Sequence, residues 1–536
     1  MKRFALTTLF SLWLVCGAAH GQSAAPQPPL AELMHQLATA SLGDSPALVA
    51  QLDEKGGDAM LPLFQAMRDG SLYSVDTTHD LVIEQDQGNQ SLFVDALTGK
   101  PVQDVTSDDV SAVPVNNLLR GQLSLLISKI QIHSPNPKVR QEAVFSLLAD
   151  LNPTLIQTLE EARIHEKSSG VKDAMDLALA MNTAVHSAKP VERVNAIEKL
   201  AGSQRGEVRN LLNRLKADPS QPQVQAAAVE ALKKIKFKSD LYGMVDTLFF
   251  GLSLGSVLLL AAIGLAITFG VMGVINMAHG EMMMLGAYTT YVVQLAMPNH
   301  IDESLWVAIP AAFVVAGATG VLIERCVIRF LHGRPLETLL ATFGISLGLQ
   351  QAVRTVFSPL NRQVQAPSWM SGSVEINPDL SITLNRLCIL AFALIVFFLL
   401  QLVLKKTSLG LNVRAVSQNR NMAKSMGIKT DRVDAMTFGL GSGIAGIAGV
   451  ALSQLTNVGP NLGQSYIIDS FMVVVFGGVG NLLGTLVAAF TLGVANKFLE
   501  PVTGAVLASI LVLVFIILFI QKRPKGLFPQ KGRAAE

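Results

Sequence analysis

Three polar residues, Asn276, His279 and Glu281, stand where an uncharged stretch running from Thr247 to Gly280 gives out. Amide, imidazole and carboxyl groups at the edge of hydrocarbon are costly to leave unpaired, so they face a partner, a cavity or a transport path. Two arrangements meet that requirement: a hydrogen-bonded turn between two helices, or a set of groups that meets a polar cargo. A zinc protease is excluded, since its metal-binding histidines lie four residues apart on a helix and His-Gly-Glu-Met-Met supplies only one. A second chemistry-bearing segment is the run of cations Lys405, Lys406, Arg414, Arg420, Lys424, Lys429 and Arg432, which meets no acid until Asp431. By itself it reads as a basic loop that fixes membrane topology, with a helix-like run from Asn412 to Met426 interrupted at Gly427. A third is Gly477-Gly478-Val479-Gly480, which breaks an apolar stretch. Irregular backbone at membrane depth is tolerated only where it is buried or lines a cavity, so this segment reads as pathway-lining. Asp469, placed near the outer end of that broken span, suits a helix N-terminus as a cap. No GxxxxGK[ST] phosphate loop occurs, and the first half has no metal-ligand spacing or nucleophile elbow; no ATP site, metal or cofactor is expected.

The elements that would position these groups are membrane spans. Of 536 residues, 50% are apolar and 15% charged, and the mean hydropathy is +0.42, which excludes a purely soluble protein. Before residue 241 there are 23 Lys and Arg against 27 Asp and Glu, a net −4; after it there are 19 against 13, a net +6. Neither half has the strongly basic balance of a nucleic-acid binder, and none is expected as a partner. Beyond 247–280, apolar stretches lie near 282–297, 305–323, 336–357, 387–404, 435–456, 467–479, 482–498 and 502–520, predicting about nine spans within 239–525. If the break at Gly477 marks a re-entrant hairpin, the number becomes seven. Cations cluster at Arg325/Arg329/Arg334, along 405–432, and at Lys522/Arg523/Lys525/Lys531/Arg533, which places these segments and the 526–536 tail in the cytoplasm. Small residues at Gly251/Gly255, Gly344/Gly348 and Gly439/Gly443/Gly446/Gly449 predict close helix packing.

The first half reads differently. Residues 1–21 carry Lys2 and Arg3, an apolar run from Phe4 to Val15 and small residues Ala19 and Gly21, the pattern of a secretory signal, cleaved or retained as an anchor. Residues 22–238 contain no run long enough to span a bilayer, which needs roughly 20 apolar residues. They predict a periplasmic, mainly helical domain. Four amphipathic segments share one pattern, Ala143/Val144/Leu147, Ala174/Met175/Ala178, Ala196/Ile197/Leu200 and Ala228/Val229/Leu232. Pro-containing turns before the first and last resemble HEAT-type repeats, with an ordinary helical bundle as the alternative. A small β-hairpin is expected around Gly88-Asn89. The cysteines Cys326 and Cys388 fall in or beside apolar spans, so packing, not disulfides, must stabilise the exported domain.

Several long motifs add a family. GLSLGSVLLLAAIGLAITFGVMGVINMAHGEMMMLGAY (251–288), SLGLNVRAVSQNRNMAKSMGI (408–428), GIAGIAGVAL (443–452), FGGVGNLLGTLVAA (476–489) and RPKGLF (523–528) resemble permease subunits of branched-chain amino-acid-type (LivH-like) ABC importers across 241–530. The exported extension of about two hundred residues and TLLATFGISLGLQQAVRTVFSP (338–359) resemble the urea-type subgroup of that family.

The resemblance implies an all-α fold, a polytopic permease of the inner membrane behind an exported helical domain, and a transporter subunit, not an enzyme. The implied partners are a second related permease chain, two cytoplasmic ABC ATPases, a periplasmic substrate-binding protein and the lipid bilayer. Segment 405–432 would then be the loop that couples to an ATPase, with Gly410, Arg414, Ala415, Asn419, Ala423 and Gly427 as the matching positions. The implied cargo is urea, with short amides or branched-chain amino acids as alternatives; a passive channel with a sensory exported domain is a reading from another class. Urea is neutral and rich in donors and acceptors, so its path calls for amide and hydroxyl groups at narrow apertures. Candidates are Thr342, Gln350, Asn457, Tyr466 and Asn481, with Phe343 and Phe476 as walls, beside Asn276, His279, Glu281 and the glycines Gly477, Gly478 and Gly480.

Overall fold

The computed structural model describes residues 30–528 except 87–90, 103–104, 107–108, 150, 220 and 378. The expected signal sequence at 1–21, the turn pair Gly88-Asn89 and most of the 526–536 tail lie outside the described residues. The chain divides into two compact units, one ending at Ile235 and one beginning at Lys236.

The first unit opens with α1 (Leu30–Ala38), α2 (Ser45–Gly56) and α3 (Leu61–Asp69). Gly70, at φ +80°, ends α3 in the left-handed region that a side chain would strain. Four strands follow: β1 (Leu72–Val75), β2 (Leu81–Asp86), β3 (Ser91–Asp95) and β4 (Val110–Ala112). β2 and β3 pair antiparallel with Ile83 opposite Val94, at the position where a hairpin was expected. The sequence reading missed β1 and β4, which complete a sheet of order β3-β2-β1-β4, because strands of three and four residues show almost no alternation. α4 (Asn117–Gln131) closes this layer, burying Leu119 and Leu123 against Leu37, Leu52, Phe64 and Met67.

Five further helices, α5 (Pro137–Leu147), α6 (Pro153–His165), α7 (Ser169–His186), α8 (Pro190–Leu200) and α9 (Gly206–Ala217), stack around a second core. Asparagines start three helices of this unit: the side chains of Asn116, Asn136 and Asn152 accept from the backbone N–H groups of Leu119, Lys138 and Leu155 at 2.8–3.0 Å. Prolines occupy the first helical position of α5, α6 and α8, where a missing N–H costs nothing. The first three repeated triplets are all buried. The fourth differs: at the start of α10 (Pro222–Met272), Val224, Ala228, Ala231 and Ile235 are buried while Val229 and Leu232 are only partly so. A 3.6-residue period makes that set one straight face, which the shorter triplet pattern cut across.

In the second unit the rest of α10 is followed by α11 (His279–Ala296), α12 (Ile301–Cys326), α13 (Pro335–Phe357), the hairpin of β5 (Ser373–Asn377) and β6 (Leu380–Thr383), and α14 (Leu384–Lys406). Then come α15 (Ser408–Gln418), α16 (Arg420–Ser425), α17 (Thr430–Ser453), α18 (Leu462–Gly477), α19 (Leu482–Thr503) and α20 (Ala505–Lys522). Each of the nine apolar stretches lies mainly in a separate helix, but among the described residues six, namely α10, α12, α14, α17, α19 and α20, are long and apolar enough to cross a membrane by length and composition. α18 has 16 residues, fewer than the roughly 20 a full crossing takes.

Glycine makes the centre of this unit. α17 lies so close to α11 that a Cβ on Gly286 would collide with the Gly446 carbonyl, and one on Gly449 with the Met283 carbonyl. Gly251 and Gly255 of α10 meet Val494 and Phe490 of α19 in the same way, at 2.7 and 2.9 Å from a would-be Cβ. In lipid, close backbone approach supplies the van der Waals contact that the hydrophobic effect does not. Gly344 and Gly348 depart from this expectation, for a Cβ added at either would meet nothing within 4 Å beyond its own helix backbone among the described residues.

Candidate functional site

α11 begins in a turn that buries every polar group expected there. Asn276 Oδ1 accepts from Ala278 N at 3.0 Å and stabilises the turn. His279 Nε2 lies 2.9 Å from the Ala261 carbonyl of α10, so this nitrogen carries the proton, and the buried Nδ1 has no hydrogen bond. Both residues act as the structural turn between two helices.

Glu281 is different. It is 1% exposed, and its Oε1 accepts from Ser346 Oγ at 2.9 Å and Gln350 Nε2 at 2.8 Å, both on α13. Its Oε2 is buried without a hydrogen bond. Thr342 joins the same face: its Oγ1 accepts from Met277 N at 3.1 Å and donates to Leu339 O at 3.0 Å. Thr338, Thr342, Ser346 and Gln350 are all buried, one helical turn apart, so α13 presents a polar ladder about 18 Å long. Ser346 and Thr338 escaped the sequence reading, although the i, i+4 spacing of hydroxyls inside an apolar stretch was a signal that could have found them. Chemically the cluster offers hydroxyl and amide groups and one carboxyl oxygen without a hydrogen bond, groups able to donate to and accept from a polar molecule.

The other pathway candidates do not join this cluster. Phe343 is 42% exposed on α13. Asn457 lies exposed between α17 and α18, and Tyr466 is partly buried on α18. Asp469, expected as a cap, lies in the middle of α18, because that helix begins seven residues earlier at Leu462.

The glycine break is a stitched turn between α18 and α19. Gly477 and Gly484 touch through their backbones, and Gly478 and Gly480 have φ of +105° and +80°. Asn481 caps α19 by accepting from Gly484 N at 3.2 Å and donates to the Phe528 carbonyl at 3.2 Å. The end of the described chain runs beside it, with Leu527 N donating to Phe476 O at 2.9 Å and the Phe476 ring 4.8 Å from that of Phe519. Phe476 and Gly477 are both buried at this turn.

Gly480 and Asn481 instead share a cavity of about 440 Å³ with Gly410 and Arg414, between α10, α14, α15 and the α18–α19 turn. Nothing in the sequence announces this meeting. Gly410 is where α15 passes the Leu404 carbonyl with no room for a Cβ, and Arg414, exposed, donates to that carbonyl at 2.5 Å. The helix-like run to Met426 is in fact two helices. Asn419 divides them, its side chain accepting from Met422 N at 2.9 Å as the cap of α16, and Gly427 at φ +87° ends the second. Ala423 is buried under α16 and Ala415 half-buried on α15. Among the described residues, no group of three His, Cys, Asp or Glu could hold a metal ion.

Residues 247–520 match the family described as the permease component of branched-chain amino acid transport systems. The high-affinity branched-chain amino acid transport system permease protein LivH of Salmonella typhimurium is 31% identical over 294 residues, covering 53% of this chain and 94% of that protein. BraD of Pseudomonas aeruginosa, of the same description, is 30% identical, covering 54% of this chain and 96% of its own. LivM of Salmonella typhimurium is 23% identical, covering 51% and 67%. No solved structure matches. Over the matched residues the helices pack through glycine, six helices among the described residues are long and apolar enough to cross a membrane, and the chain belongs to the branched-chain amino acid transport permease family.

Proposed function

We propose that this chain is the permease subunit of an ATP-driven importer of urea, lining the translocation path together with a second, related permease chain. The observation that carries the cargo reading is the ladder of Thr342, Ser346 and Gln350 converging on Glu281. Urea has two amide nitrogens that donate and a carbonyl that accepts, and exchanging hydrogen bonds with hydroxyl, amide and carboxyl groups needs no apolar pocket. The family match begins at residue 247, so the first unit lies outside it, in keeping with a subgroup that carries an exported extension.

In this reading residues 1–21 direct export, the first unit stands in the periplasm beside a substrate-binding protein, and the C-terminus is cytoplasmic. The cation clusters at 325–334, 405–432 and 522–533 support that orientation. Two ABC ATPases supply the energy, and α15 and α16 pass it to the spans. Two permease proteins of one described system, LivH and LivM, are both similar to this chain, which supports a paired permease.

Branched-chain amino acids are the second reading, favoured by the names of those relatives. Uptake of labelled urea and labelled leucine by cells with and without this chain tests both, with an ATP-depleting treatment in parallel. Concentrative, ATP-dependent urea uptake that vanishes without the chain is the expected result. Loss of leucine uptake alone transfers the cargo to the second reading, and uptake indifferent to ATP leaves a passive channel.

A further inference from the structure

The acids beside the basic segment have partners that the sequence kept far apart. Asp434, on the second turn of α17, has a side chain 4% exposed and is gripped by the Arg420 guanidinium of α16 through both oxygens, one at 3.2 Å. Arg329, from the turn after α12, reaches Asp431 of the same helix at 3.5 Å. A small apolar core lies alongside, made of Val413 and Val416 of α15, Ala423 of α16 and Val433 of α17. α15 and α16 are therefore fixed to the first turns of α17 by one half-buried guanidinium on a buried carboxylate and by one apolar plate.

α17 is in turn the helix that α11 and α12 press against without side chains between backbones, at Gly446 against Gly286 and Ala312, and at Gly449 against Met283. A contact of that kind has no slack, because close-packed backbones transmit displacement instead of absorbing it. α11 carries Glu281 at its first turn. A continuous series of contacts thus leads from α16 through Arg420 and Asp434 to α17, and from α17 to α11 and the polar cluster.

We propose that the Arg420–Asp434 pair is a positioning link that transmits displacement of the basic segment to α17, and through α17 to the Glu281 cluster. The inference rests on the reading of 405–432 as the segment that meets the ATPase. A buried carboxylate deprived of its guanidinium is left uncompensated, whereas an exchanged pair restores the same attraction in reverse.

The test uses the assembled importer in proteoliposomes, reading cargo moved per ATP hydrolysed, with labelled urea and labelled leucine as probes. Arg420→Asp and Asp434→Arg each lower that ratio about tenfold or more, and the double exchange recovers it to within about threefold of the native protein. The neutral pair Arg420→Gln with Asp434→Asn leaves no buried charge unpaired, so it assembles even if the single variants fail to fold, and it too shows the lowered ratio. A native ratio in the neutral pair, or no recovery in a double exchange that assembles normally, overturns the link. Arg414→Glu, on the exposed face of α15, separates the two levels. If it lowers the ratio while the neutral pair does not, the link fails and the docking reading stands; if neither does, the docking reading fails with it.

Discussion

Replacing Glu281 separates its part in the fold from its part in a path. In Glu281→Gln the atom that replaces Oε1 still accepts from Ser346 and Gln350, at the 2.9 and 2.8 Å of the native contacts. Only the orphaned Oε2 changes, from acceptor to donor. In Glu281→Ala both donors lose their acceptor inside the membrane unit. Interhelical hydrogen bonds in membranes average about 0.6 kcal/mol and reach about 1.7, so two lost bonds cost roughly 1–3 kcal/mol. Thermal unfolding of the purified full-length protein in detergent should therefore leave the glutamine variant within about 1 kcal/mol of the native protein and lower the alanine variant clearly. If Oε2 accepts a hydrogen bond from cargo in transit, its conversion to a donor costs about 1.4 kcal/mol or more, a tenfold or greater loss of uptake, at nearly unchanged stability. Urea and leucine uptake by cells carrying each variant reads this directly. Native uptake of both cargoes by Glu281→Gln would remove Glu281 from the path and leave it as a bond between α11 and α13. A glutamine variant as unstable as the alanine one would refute the assignment of the stabilising bonds to Oε1.

Gly449→Leu should prevent α17 from seating on α11, because its side chain must occupy the space of the Met283 carbonyl; overpacking of about 1–3 kcal/mol or more is expected, read as a lower unfolding temperature and lost assembly. Glu166, held by a bidentate contact from Arg140 at 2.8 Å and by the N–H groups of Lys167 and Ser168, has its pKa lowered from 4.5 to about 2, chiefly by the arginine hydrogen bonds. Because the folded value is the lower one, this stabilisation is present above pH 4.5 and is lost as pH falls toward 2. After solvent screening it amounts to about 1–2 kcal/mol, and Glu166→Gln should remove that acid-dependent part from the protease resistance of the first unit in the full-length protein. Single cysteines at Asn457 and Glu500, in a protein lacking Cys16, Cys326 and Cys388, should both be labelled from outside intact spheroplasts by an impermeant maleimide. Labelling of either only after permeabilisation would overturn the proposed orientation.

Much of this architecture was legible because it obeys short-range rules. The apolar stretches became helices one for one, since a chain with few polar side chains in lipid must satisfy its own backbone. The first three buried triplets of the first unit follow from helical periodicity, and the Pro-containing turn noted before the first of them does precede a helix, α5. The boundaries failed where local pattern and local chemistry disagreed. Asn419 sits inside an apparently continuous helical run, yet asparagine is a favoured N-cap residue, and its side chain caps α16 and splits that run; Asp469 has the type of a cap, but α18 already starts at Leu462.

The sequence by itself determined the apolar stretches, the mainly helical class, the family and the polar residues that are too costly to bury without a partner. Only the tertiary structure decided who the partners are. Glu281 meets Ser346 and Gln350 from more than sixty positions away, Arg420 meets Asp434 across a helix break, and Gly480 meets Arg414 around one cavity. Periodicity shows which face of a helix is apolar or polar, because that depends on neighbours three and four residues away. Which faces meet depends on how closely the backbones can approach, and that is set jointly by glycines on different helices, such as Gly286 and Gly446, whose fit no single stretch of sequence contains.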